Sequence, residues 1–131
     1  LLIALLLATA PASAADDAPA AVEAAPAAPL SNKWRLQFSG AAESAGELVF
    51  AVRDEAGASY EVVVPIEGND GENRVASKVR RALDRELPRG WRVERDDGED
   101  VLVKRRLYHP RFAITLVRST VGDVRVSFDR E

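Results

Sequence analysis

The sequence has no cysteine, a single histidine and, in 131 residues, only two tryptophans and two tyrosines. Without cysteine there are no disulfide staples, no thiol nucleophile, no thiolate metal site and no acceptor for a lipid anchor. The lone His109 would have to serve any serine triad. Ser119 is the nearest serine after it, and nothing like G-x-S-x-G surrounds any serine. No glycine-rich phosphate cradle is present. Lysine and arginine are missing from the first 30 residues, which hold only Asp16, Asp17 and Glu23 as charges. All 18 cations therefore follow residue 30, beside 18 of the 21 acids, and the formal charge of −3 belongs to the N-terminal stretch. The remainder is neutral in sum, so global charge makes no case for a polyanionic partner and nothing favours nucleic acid.

The opening apolar run, Leu1 to Ala10, is far shorter than the roughly 20 residues needed to span a bilayer. It has the length of a secretory h-region, and Ala12-Ser13-Ala14 offers small residues before a cut. The expectation is a cleaved secretory signal over 1–14, its initiator Met and charged n-region missing, and hence an exported protein, periplasmic or secreted. Residues 15–29, almost all Ala and Pro with three acids, read as a disordered tail. Residues 30–131 read as a single domain without a transmembrane segment.

The stretch Asp70 to Leu87 is the one convincing helix. Val75, Val79, Leu83 and Leu87 recur every four residues with Ala76 and Ala82 beside them, the stripe of a helix lying on a sheet. Asn69 reads as its N-cap, with Glu72 completing a capping box and Asp70 as a substitute; Pro88 stops it and Gly90 reverses the chain. Around it lie about seven short alternating segments. Trp34, Leu36 and Phe38 mark the first, Leu48, Phe50 and Val52 the second, and Tyr60, Val62, Val64 and Ile66 the third. Val63 on the other face suggests that the third strand is central, although Pro65 removes a ladder donor.

After the helix, residues 91–103 read as a hairpin. A three-residue loop Asp96-Asp97-Gly98 would pair Arg95 with Glu99, Val93 with Val101 and Trp91 with Val103. Phe112, Ile114 and Leu116, then Val124, Val126 and Phe128, supply the last two strands. The fold class predicted is α+β: a mainly antiparallel sheet of about seven short strands with one amphipathic helix packed on one face, in the order βββ-α-ββββ. Which strand is the sheet edge, and the oligomeric state, stay open. The layout V-P-I-x-G-x-D, amphipathic helix, strand, D-G turn, strand, over about residues 60 to 105, resembles a unit of phage tail-sheath proteins and other bacterial surface and tail components. The resemblance is one of layout and implies no function.

Candidate sites begin with cations. Arg74, Lys78, Arg81 and Arg85 fall on one side of the helix, and Lys104, Arg105, Arg106 and Arg111 are interleaved with Tyr108 and His109. Such a mixture suits polyanions, since cations meet phosphates and rings add apolar contact. The plain alternative is a solvated helix face and an ordinary strand end, with Asp84 and Glu86 offsetting part of the charge. Two acidic clusters, Asp96-Asp97-Glu99-Asp100 and Glu67-Asn69-Asp70-Glu72, have oxygens of the kind calcium takes, but neither has the spacing of a calcium loop. They read as turn and capping chemistry, and no metal or cofactor is expected. Trp34 and Trp91 read as core anchors. The function expected is a non-enzymatic protein–protein interaction module of the cell envelope. The first alternative is a binder of an anionic lipid or polysaccharide through the basic patch. The second is a small carboxylate-dependent hydrolase.

Overall fold

Alternation decides which side meets the core along β1, β3 and β7 of the computed structural model, which describes residues 29–106 and 108–131, whereas β2, β5 and β6 carry consecutive buried residues. The elements are β1 (Lys33–Ser39), β2 (Gly46–Asp54), β3 (Ser59–Ile66), α1 (Glu72–Glu86), β4 (Trp91–Asp96), β5 (Asp100–Arg105), β6 (Phe112–Ser119) and β7 (Arg125–Arg130). The class and the order βββ-α-ββββ are those the sequence predicts. The signal and tail expected over 1–29 fall, but for Pro29, outside the described residues.

The strands divide into two antiparallel sheets, ordered β4-β5-β1-β7 and β3-β2-β6. Size explains the division. A 15-residue helix is roughly 22 Å long. Seven strands side by side would be roughly 30 Å wide, so one such helix could not cover their apolar face. Folded into two, the sheets cover each other. Trp34, Leu36 and Phe38 of β1 meet Leu48, Phe50 and Val52 of β2 in one continuous core. The Phe38 and Phe50 rings meet edge-on, 6.5 Å apart at 82°. Helix α1 buries Val75, Ala76, Val79, Ala82 and Leu83 against β3 of one sheet and β4, β5 and β1 of the other, closing the gap between them.

Several local expectations are corrected. Strand β3 is an edge and β2 is the centre of its sheet. Val63 is accordingly 41% exposed, and Pro65 is tolerated because an edge strand has a side that needs no donor. The hairpin loop is Asp97-Gly98-Glu99, and the register slides by two residues: Val93 faces Val103, Arg95 faces Val101 and Trp91 faces Arg105. Both Asp97 (φ 52°) and Gly98 (φ 82°) adopt the left-handed turn, which Asp tolerates better than most side chains. The slide keeps the same residues on the same face and sets Asp96 opposite Asp100. Both carboxylates accept from Arg35 Nη1, at 3.0 and 2.7 Å. The helix N-cap is Gly71, without a side-chain cap bond. Asn69 instead sits at φ 72° in the turn before it, and Asp70 turns inward. Trp34 is buried, its Nε1 donating to the Phe112 carbonyl at 2.9 Å, whereas Trp91 is only half-buried.

Candidate functional site

The first turns of α1 place Arg74, Ser77, Lys78 and Arg81 on one side, at spacings that bring successive helical turns into line. The chain leaves the helix through Leu87 and returns as β4, so the end of β4 lies beside the start of α1. Arg95 is on the same strand face as Trp91 and Val93 but beyond the helix-covered part, and it comes out at the groove. Asn73 and Glu67 complete the lining of this shallow, open depression.

Its cations differ in freedom. Lys78 bonds the buried Asp70 carboxylate and lies 4.0 Å from Glu67. Arg74 Nε is 3.9 Å from Asp70 Oδ1, a loose contact, while Arg81 and Arg95 have no ion-pair partner among the described residues. Burial pushes the Asp70 carboxyl up, but the Lys78 ammonium and the Glu67 N–H outweigh it and hold the group below the usual carboxylate range. Asp70 therefore stays charged, fixes Lys78 in place and leaves the groove with a net positive rim.

The second predicted group does not join the first. Lys104 pairs with Glu94 at 2.9 Å on the hairpin's other side, and Arg111 pairs with Glu55 at 2.8 Å. Arg105, expected at the surface, turns inward because neighbours on a strand face opposite ways. Its Nη1 donates to Asp54 at 2.9 Å and to the Pro110 carbonyl at 3.2 Å, and its guanidinium lies 4.3 Å from the Trp91 ring centroid. It holds the fold. Arg106, Tyr108 and His109 are exposed, with Tyr108 at φ 72° and the His109 ring beside Gly90, near the far end of α1 from the groove. Arg85 is also near that end and contacts Glu86 at 3.3 Å.

The acidic clusters have found other roles. Asp96 and Asp100 clasp Arg35, and Asp70 holds Lys78. Among the described residues no three metal-ligating side chains converge. The Ser119 hydroxyl bonds the main chain of Val121.

Sequence reasoning missed Arg95. Its signal was the two-residue period it shares with Trp91 and Val93, combined with the reversal at Gly90 that runs β4 back along α1. Among the described residues no helix is long and apolar enough to cross a membrane. No protein-family model and no curated protein matches the chain.

Proposed function

We propose that the protein is an exported, non-enzymatic binding module of the cell envelope that takes an acidic segment of a partner protein in the groove between α1 and β4. The observation that supports this is the convergence of Arg81 and Arg95 from two elements, with no carboxylate pairing with either among the described residues. Asn73 and Ser77 between them add neutral donors and acceptors suited to carboxylates and main-chain amides. The groove lining contains no aromatic ring on which a base could stack, which favours a carboxylate partner over a nucleic acid. The apolar run and small-residue cut at the N-terminus support export.

The test is capture from envelope extract by the purified protein and by a variant carrying Arg74→Glu, Arg81→Glu and Arg95→Glu, with Arg85→Glu as the off-groove control. A protein recovered by the wild type and the control, and lost by the triple variant, is the expected outcome. Recovery of salt-sensitive lipid or polysaccharide alone would transfer the reading to an anionic polymer. Equal recovery by all three proteins would refute the groove as the site.

A further inference from the structure

Strand β7 is the last of its sheet, and its outer edge pairs with nothing among the described residues. Its ladder with β1 shows which groups face that edge. The Glu131 N–H donates to the Lys33 carbonyl at 3.0 Å. By antiparallel alternation Asp129, Ser127 and Arg125 also turn their main-chain groups toward β1, so those of Val126, Phe128 and Arg130 point outward. The side chains alternate as well. Arg125, Ser127 and Asp129 are exposed on the outer face. Val126 and Phe128 are half-buried on the inner face, with the Phe128 ring 6.4 Å from Phe50 at 68°. Helix α1 closes the opposite side of the core, while here Val126 and Phe128 are left only partly covered. Neither Arg125 nor Asp129 has an ion-pair partner among the described residues.

We infer that β7 is a homodimerisation edge, pairing antiparallel with β7 of a second copy about a two-fold axis at Ser127. The strand's own pattern selects a second copy as occupant. With Ser127 on the axis, Arg125 stands opposite Asp129 of the other copy, and Asp129 opposite its Arg125. Val126 stands opposite Phe128, and Phe128 opposite Val126. The free main-chain groups of Val126 and Phe128 are those that would exchange hydrogen bonds in this register. The charged pairs fall at the non-hydrogen-bonded positions, where side chains approach most closely.

Neighbouring registers lose this match. Centring on Val126 sets Asp129 against Asp123, and centring on Phe128 sets Val126 against Arg130. A two-fold contact needs a self-complementary patch, and this strand is one. The product is a continuous antiparallel sheet running β4-β5-β1-β7 in one copy and β7-β1-β5-β4 in the next.

The experiment is sedimentation velocity of the purified protein over a concentration series, with melting by circular dichroism to show that each variant folds. The wild type should show a concentration-dependent dimer. Arg125→Asp alone and Asp129→Arg alone each change two symmetry-related pairs from attraction to repulsion and should weaken the dimer about tenfold or more. Mixing these two single variants should restore a dimer, because each then supplies what the other lacks, and the double variant Arg125→Asp with Asp129→Arg should also dimerise. Val126→Pro removes an outward N–H and leaves the β1 ladder intact, so it should dissociate the dimer without unfolding the chain. A wild type that stays monomeric throughout overturns the inference. So does a dimer indifferent to both single reversals, or a mixture that stays monomeric.

Discussion

The Asp54 carboxylate is 5% exposed and accepts from Arg105 Nη1 at 2.9 Å and from the N–H groups of Ala56 and Ala58 at 3.0 and 2.9 Å. It closes the β2–β3 turn and neutralises a guanidinium stacked on Trp91. Asp54→Ala would strand that guanidinium in the interior, and breaking such a pair from one side typically costs about 3–5 kcal/mol. Arg105→Met would keep much of the packing on Trp91 but leave Asp54 without its cation. We expect both to lower the urea midpoint, and the pair of changes together to cost less than their sum. Additive losses would show that the two groups do not act as a unit. Asp54 and Asp70 also set the acid response. Burial pushes each carboxyl up, but Arg105 and the turn amides for Asp54, and Lys78 and Glu67 N–H for Asp70, carry both below the usual range. A depressed folded value means stability that is whole above the unfolded carboxyl value of about 3.9. That stability is lost as pH falls through the folded values. The urea midpoint should therefore hold from neutrality to about pH 5 and fall steeply below about pH 4. Glu43, pushed up by its neighbour Asp123, works the other way and softens the fall. Lys78→Met should move the loss to higher pH.

Among the elements, β3 separates its two faces most sharply. Val62 is fully buried and Val63 is 41% exposed. Val63→Thr should change the unfolding free energy by less than about 0.5 kcal/mol. Val62→Thr buries a hydroxyl with no evident partner and should cost about 1–3 kcal/mol. Equal effects would mean that the outer face of this sheet is covered. Gly90, at φ 100° after the helix, is a second sensitive point, since an added Cβ would lie 3.3 Å from His109 Cε1. Gly90→Ala combines backbone strain with that contact and should cost about 1 kcal/mol or more, read from the same denaturation curves. These elements also show what could be read from sequence. The stripe of α1 was legible because a four-residue repeat has one physical cause. The face of each hairpin residue was legible from parity, but its register was not. Parity is unchanged by a two-residue slide, and Arg35, which gathers Asp96 and Asp100, comes from a strand more than 60 residues away. The N-cap is not legible because Asp70 meets Lys78, two turns on, and the Glu67 N–H behind it, instead of the free amides of the helix's first turn. Of the basic patch, Arg74, Lys78 and Arg81 were found together because they share one helix. Arg95 was not, because only the return of β4 along α1 brings it there.

At the scale of the molecule, both sheets and the helix contribute to one uninterrupted core. Nothing in that core divides into separately buried parts, so unfolding should be a single cooperative transition. The two tryptophans make this measurable: Trp34 is buried and Trp91 half-buried against Tyr60 and Phe112. Tryptophan fluorescence and far-ultraviolet circular dichroism should give coincident urea curves. Curves that separate would show that one sheet outlives the other.

The pairing of β1 with both β5 and β7 has a consequence for the chain as it is made. Ser31 and Glu131, which share a hydrogen bond, are separated by 100 residues. At typical ribosomal rates that interval is about 5–20 s. During it Trp34, Leu36 and Phe38 have emerged, while β5 and β7, the strands that will flank theirs, are still being synthesised. The hairpin β2–β3 and the helix can form as they appear, but β1 must wait until β5 and β7 have been made. Until then the nascent protein carries an apolar strand without its neighbours, the kind of transiently exposed surface that holding chaperones cover.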